Sequence, residues 1–539
     1  MRGLLEDASF NQSPPFSGYN LFTSDAPLLD AAARFGLDAE KLRTCGAAYG
    51  SDEALDLGRI ANENPPKLRI MDAKGFRADR VEFHPAYHQL MSTSIGFGIH
   101  CSAHDDSDSA QPMTARAARL YMATQAESGH LCPITMTHAS VGALAAAPDL
   151  LAAWTPKITS RRYDSSFRPW WEKDGVTIGM GMTERQGGTD VRANITQATG
   201  GEEVEITGHK WFMSAPMCDA FLVLAQAQGG LTCYLMPRFR PDGSVNGLRF
   251  ARLKDKLGNK SNASSEVEFH AAYAQRVGAE GAGVRTIIEM VQLTRLDCII
   301  ASAGQQRIAL AQALHHVRHR SVFQRRLSDQ PAMRAVIADL ALELEAQVAL
   351  TFRLAAAFER APRDESEAAY SRLMTPAIKF LVCKSVPGFV YEALECFGGN
   401  GYTEDLPLAR YYREAPLNAI WEGSGNVMAL DVLRAAGRQR DAAIQTVEHM
   451  IRTASRAYDC GPLASMLLRV IQSGEAERRA RFVCETLARI GAVAALVEVG
   501  SHFAADYART RLETAHAHYG FSDLDETTAS KLMDRALVA

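Results

Sequence analysis

Glu422 stands in the run Ala419-Ile420-Trp421-Glu422-Gly423-Ser424-Gly425-Asn426, between an indole and a flexible Gly-Ser-Gly turn, directly ahead of an apolar helical stretch. An aromatic neighbour and a tight turn partly desolvate such a carboxylate and raise its pKa toward the working pH of a general base. The same placement also suits plain helix architecture, with a negative charge beside the helix dipole and Ser424 as N-cap. A second candidate is GMGMTERQGGTDVRA, 179–193, where Gly187 and Gly188 leave backbone N–H groups free beside the hydroxyls of Thr183 and Thr189. Such a loop can hydrogen-bond a planar heteroaromatic edge or a phosphate, and it can equally be a polar turn. GHKWFMSAP, 208–216, adds Trp211, Phe212 and Ser214. At alternating positions of a strand these supply an aromatic wall and a hydroxyl, or else a core aromatic pair.

Other chemistries lack their residues. Neither GxGxxG nor GxxxxGK[ST] occurs, so nicotinamide and ATP sites are not indicated. Around Ser424 the chain reads Glu-Gly-Ser-Gly-Asn, with glutamate where a nucleophilic-serine motif needs its first glycine. His315 and His319 are four apart on a predicted helix, yet no third ligand is patterned with them, and a solvated or phosphate-facing basic stripe is the better reading; no metal is expected. Ten cysteines lie scattered from Cys45 to Cys484 without a CxxC pair, which indicates buried thiols rather than zinc or disulfides. A net charge of -4 and a pI near 6.4 give no overall attraction for nucleic acid or an anionic membrane. No apolar stretch of about 18 residues is evident. The start, MRGLLEDASFNQSPPF, is acidic and proline-containing where a signal peptide would be basic then apolar, so a cytoplasmic, membrane-free protein is expected.

Several elements must position these residues. A chain of 539 residues with 47% hydrophobic and 22% charged residues can bury a sizeable core divided among domains. Residues 1–178 read as an irregular N-terminal arm and a helical domain. From 179 to 275 the period changes to that of strands, with Val204 and Ile206 alternating and FLVLAQ and LTCYLMP as buried runs. Helices return over 276–437, with Ile337, Leu340, Leu344 and Val348 on one face and Pro331 near a helix start. Residues 438–539 form a helical appendix. The expected class is α+β.

Five segments in this order, MTERQGGTD, GHKWFMS, RLKDKLGNKSNASSEVEF, RHRSVFQRRLSDQ and ECFGGNGYTEDLPLARYYREAPLNAIWEGSGN, resemble the successive signatures of the flavin-dependent acyl-CoA dehydrogenases. The match covers about residues 60–437, and the arm, LCPITMTHAS and the appendix look closest to the AidB, or alkylation-response, branch. The resemblance implies the acyl-CoA dehydrogenase fold: an N-terminal helical domain, a middle β domain, a C-terminal four-helix-type domain and here an extra appendix. It implies an oxidoreductase in which Glu422 removes the α-proton of an acyl thioester while the β-hydrogen leaves as hydride to FAD. Met182, Thr183, Gly188 and Thr189 should line the flavin, with Phe212 and Ser214 on its other side and Trp421, Ser424 and Asn426 nearby. Arg320, Phe323, Gln330, Gly398 and Gly399 resemble residues that reach the pyrophosphate and adenosine of FAD bound to a neighbouring subunit. A homotetramer, a dimer of dimers sharing FAD, follows as an expectation.

The chain departs from the family at Arg185, where proline is usual, and at Glu395, where glutamine is frequent. Arg434, twelve residues after Glu422, could meet a substrate or lie on a solvated helix face. The AidB branch is associated with DNA binding through its appendix. Here residues 441–539 carry eleven Lys or Arg against thirteen Asp or Glu, although Arg478, Arg479, Arg481 and Arg489 cluster as a candidate phosphate-contacting stripe or as part of an oligomer interface. The alternative function is therefore an AidB-like flavoprotein that binds DNA and protects against alkylation with little turnover.

Overall fold

The computed structural model describes residues 10–104, 109–472, 476–513 and 524–537; the first nine residues of the acidic start lie outside them. The chain divides into two compact units. One comprises Glu53–Asp108 and Ala126–Asp297; the other comprises Met1–Asp52, Ser109–Gln125 and Cys298–Ala539.

The first unit is built on a seven-stranded sheet whose strands run from Ile178–Gly181 to Ser264–Val277. Glu203–Ser214 pairs antiparallel with Ser264–Val277, which pairs with Gly230–Pro237, which pairs with Ala220–Ala227. Ala220–Ala227 then meets Gln197–Gly200, itself paired with Glu203–Ser214, so the ladder returns on itself and leaves few open edges. This explains the two sequence patterns. In Glu203–Ser214 the buried Val204 and Ile206 alternate with exposed Glu203 and Glu205, whereas Ala220–Ala225 is buried throughout. Helices Pro85–Gly96, Leu131–Leu144 and Pro148–Ile158 belong to this unit.

The second unit is helical. Pro331–Arg360 and Glu365–Glu395 form its centre, and Gly425–Arg438, Ala480–Glu498, Glu526–Ala536 and Ala26–Phe35 pack on them. Ile337, Leu340, Leu344 and Val348 are all buried on the first of these helices. Glu365–Glu395 is long and apolar enough to cross a membrane by length and composition, which refines the reading that no such stretch exists. Yet 78% of its most apolar window is buried inside the protein, as befits a core helix. The appendix helix Ala480–Glu498 packs against both central helices and against Gly425–Arg438, the helix that follows Glu422.

Candidate active site

In the β unit, Met182 and Thr183 follow the strand Ile178–Gly181, and the loop after them is organised by Glu184. Its carboxylate is fully buried, pairs with the equally buried Lys210 at 2.8 Å, and accepts from the backbone N–H of Ile195 (2.8 Å) and from Gln186 Nε2 (2.9 Å). Lys210 also donates to the carbonyl of Leu224 at 2.8 Å. Burial pushes the Glu184 carboxyl up, but the Lys210 charge and these donors outweigh it and hold the group at about 2. The stability this confers is fully present above the unfolded carboxyl's pKa of about 4.3 and is lost as pH falls from there toward 2. The thermal midpoint should therefore drop steeply with acid over that window. In Glu184→Gln, less stable at neutral pH because Lys210 is left unpaired, the same acid drop should be shallower when midpoint is plotted against pH.

Inside that loop Gly188 lies against Thr183. A Cβ there would fall 2.3 Å from Thr183 Oγ1, so only glycine lets the hydroxyl and the loop backbone come together. Thr189 is exposed beside it. On the strand Glu203–Ser214 the register shifts between Lys210 and Met213, so Trp211 and Phe212 do not simply alternate. The extra residue lets both rings meet Lys254, whose Nζ lies 3.4 Å from the Trp211 ring centroid and 4.6 Å from that of Phe212. Phe212 is 48% exposed. Ser214 Oγ lies 3.0 Å from Ser264 Oγ, and the Arg185 guanidinium is 5.7 Å from the Trp211 ring centroid.

In the helical unit a two-residue hairpin, Ser321–Val322 against Arg325–Arg326, turns through Phe323 at φ 52° and Gln324 at φ 64°. Two successive left-handed residues are the geometry of the tight hairpin turn, normally given to Asn and Gly. The chain accepts that strain and leaves Phe323 89% exposed at the tip. Gln330 Nε2 donates to the carbonyl of Val322 at 3.2 Å and braces the hairpin. The N-terminal arm holds its base: Arg320 donates to the carbonyl of Asn11, and Asn11 Oδ1 accepts from the backbone N–H of Ser321 at 2.7 Å. His315 belongs to this contact, with its Nε2 2.9 Å from the carbonyl of Pro14 and its ring beside Phe16 and Tyr19. His316 stacks on Phe397 at 4.3 Å, which brings the end of Gly283–His319 to the turn carrying Gly398 and Gly399. Both glycines are exposed, and nothing lies within 4 Å of where a Cβ would project.

Glu422 occupies the turn before the helix Gly425–Arg438, at φ 57°, followed by Gly423 at φ 110°. A non-glycine residue in this region costs on the order of 1 kcal/mol or more and persists where its surroundings fix it. Lys379, from the middle of Glu365–Glu395 and 1% exposed, donates from Nζ to the carbonyls of Asn418 (2.8 Å), Trp421 (2.9 Å) and Gly423 (3.0 Å). Trp421 Nε1 donates to Asn418 Oδ1 at 2.8 Å, and Asn418 Nδ2 donates to Ser302 Oγ at 3.1 Å. Ser424 takes the N-cap place, but its hydroxyl makes no capping hydrogen bond. The architectural reading of the turn is thus only half met.

Three family models match in succession over residues 11–437. Residues 11–165 match the adaptive response protein AidB N-terminal domain, 179–272 the acyl-CoA dehydrogenase middle domain, and 281–437 the acyl-CoA dehydrogenase C-terminal domain. The putative acyl-CoA dehydrogenase AidB of Escherichia coli (strain K12) is 48% identical over 435 residues, 80% of each chain. The chain belongs to the acyl-CoA dehydrogenase family, on its AidB branch. Acyl-CoA dehydrogenase family member 11 of Caenorhabditis elegans is 31% identical over 79% of this chain and 72% of that one. The crystal structure of Caenorhabditis elegans ACDH-11 in complex with C11-CoA superposes with a TM-score of 0.84 at 26% identity, over 98% of this chain and 92% of that one.

FAD is the cofactor of this family, and the residues present suit it. The Thr183–Gly188 loop has a hydroxyl and backbone groups for a polar ring edge, Phe212 and Phe323 carry exposed rings, and the Gly398–Gly399 turn leaves clear space where a Cβ would project. Met182, Thr183, Gly188, Thr189, Phe212 and Ser214 lie in one unit; Arg320, Phe323, Gln330, Gly398, Gly399, Trp421, Glu422, Ser424 and Asn426 lie in the other. Arg434 sits on the exposed face of Gly425–Arg438. In the appendix, Arg481 Nε donates to Asn426 Oδ1 at 2.8 Å and Arg489 pairs with Glu485 at 2.8 Å; the Arg479 guanidinium lies 4.7 Å from the Phe482 ring centroid, and Arg478 precedes it in the same turn. Phosphate contact at Arg481 or Arg489 would have to displace a partner each already holds. Sequence reasoning missed Lys210, Lys254, Lys379 and Asn418. The usable signal was a lone lysine inside an apolar run, as in TPAIKFLVC, because lysine is almost never fully buried without a dedicated partner.

Proposed function

We propose that this chain oxidises an acyl thioester at its Cα–Cβ bond, with Glu422 as the base. The observation that carries this is the loop at Glu422: a glutamate held in a left-handed turn, half-buried beside Trp421, on a backbone anchored to a core helix. The Glu422 carboxylate takes the α-proton as the Cα–Cβ double bond forms. Bound FAD supplies the acceptor for the hydride leaving the β-carbon. Glu422 itself is half-buried, and Trp421, its neighbour in the chain, is fixed by the hydrogen bond from its indole N–H to Asn418 Oδ1 at 2.8 Å. A relative's complex with C11-CoA supports a CoA thioester as the substrate class. A homotetramer in which subunits share FAD draws support from Phe323, whose exposed ring on a strained turn is suited to a ligand held outside its own subunit.

The test is an anaerobic titration of the purified yellow protein with a panel of acyl-CoAs, following the visible flavin absorbance. Rapid bleaching by one ester supports the reading and identifies the chain length. A fully flavinated protein that no acyl-CoA bleaches overturns it.

A further inference from the structure

Lys379 is the buried cation of this unit with the least conventional set of partners. Its side chain rises from a long, largely apolar core helix, and among the described residues no carboxylate pairs with it. An ammonium has three N–H donors and no acceptor, and each donor here meets one main-chain carbonyl, from Asn418, Trp421 and Gly423. Burying a charge on carbonyl dipoles alone is costly, and an apolar side chain would suit that helix better on stability grounds. The arrangement instead defines geometry. The Trp421 carbonyl fixes the peptide plane before Glu422, and the Gly423 carbonyl fixes the plane after Gly423. The one intervening peptide, Glu422–Gly423, is clamped between them, which sets the φ of 57° at Glu422. Asn418 closes the far side by linking the indole N–H of Trp421 to Ser302.

We infer that Lys379 is the positioning residue for the base, holding Glu422 in its left-handed conformation through three carbonyls and so aiming its carboxylate. This rests on Glu422 being the base. The loop itself contains glycine at 423 and 425 and has little stiffness of its own, so the aim of the carboxylate is inherited from the core helix through Lys379.

The test uses the FAD-loaded full chain. Lys379→Met keeps an unbranched, largely apolar chain one atom shorter and removes the donors; Lys379→Gln is equally short but keeps two donors, and gives the same comparison should Lys379→Met not fold. Hydrogen–deuterium exchange of the peptide covering 418–426 reads the hold directly, and single-turnover flavin bleaching by an acyl-CoA reads its consequence. Exchange should speed up in the order wild type, Gln, Met. Bleaching by Lys379→Met should slow about 100-fold at unchanged thioester affinity, the size expected of a 1 Å displacement of a reacting group. In a Glu422→Gln background Lys379→Met should cause no further loss, because it acts only through the base. Unchanged exchange overturns the proposal. Faster exchange with wild-type bleaching overturns it too, while Glu422→Gln losing activity alongside would leave the base assignment standing. If Glu422→Gln bleaches like wild type, the base reading falls and the positioning role falls with it.

Discussion

Glu422→Gln should bind FAD as the wild type does and lose bleaching by its cognate acyl-CoA by about 100- to 10,000-fold, the contribution of a placed general base. The substitution is nearly isosteric and removes only the ability to accept a proton. The turn should survive it, because the three contacts from Lys379 are to main-chain carbonyls and involve no atom of the Glu422 side chain. Flavin content and thermal midpoint are therefore the controls, and anaerobic single-turnover bleaching is the measurement. Glu422→Asp sharpens the test. It keeps a carboxylate but withdraws it by one methylene, so it should retain chemistry at a rate lower by about 100-fold. Bleaching by Glu422→Gln at the wild-type rate would remove Glu422 from the mechanism and leave its strained turn without a catalytic explanation.

The parts of this molecule that were legible in its sequence are those encoded by local period and by ordered motifs. The shift from helical to strand period near residue 179 marks the strand that starts at Ile178, and Pro331 opens the helix Pro331–Arg360. Both signals are local, since a strand shows its face every two residues and a proline its place at a helix start. The Trp211–Phe212 segment was only partly legible. Its chemistry was read from the residue types, but the register shift that brings both rings to Lys254 inserts a residue into one strand relative to its partner, and hydropathy along a single chain does not record the partner. The partners of Lys379 were invisible for the same reason. Its three acceptors lie 39 to 44 residues away along the chain, and a lysine in an apolar run announces that it needs partners without naming them. The appendix arginines show the converse. Their clustering in sequence suggested one stripe, yet Arg481 is held by Asn426, 55 residues away along the chain, and Arg489 by Glu485 one turn before it.

How the appendix is fastened to the central helix Pro331–Arg360 leads to the largest expected effect on stability. Arg511 reaches from the segment Arg509–Glu513 to two buried acids on Pro331–Arg360: Nη2 to Asp339 Oδ1 at 2.5 Å and Nε to Glu343 Oε2 at 2.8 Å. Burial pushes the Glu343 carboxyl up, but the charges of Arg511 and Arg489, with hydrogen bonds from Arg511 and Gln347, hold it below the usual carboxylate range. Arg511→Met keeps much of the apolar stem and removes the guanidinium, leaving two carboxylates in the core without their shared cation. Breaking a buried pair from one side costs about 3–5 kcal/mol, so the urea midpoint at fixed FAD concentration should fall accordingly. The deficit should itself depend on pH. In the wild type the depressed Glu343 contributes stability above the unfolded pKa of about 4.3 and loses it as pH falls below that value. In Arg511→Met burial acts with less opposition, Glu343 titrates higher, and its penalty is present at neutral pH and fades on acidification. The two stability curves should thus converge as pH drops from 7 toward about 4. A deficit of constant size across that range would mean that Arg511 fastens the appendix by packing its stem, and not by neutralising the acids beneath it.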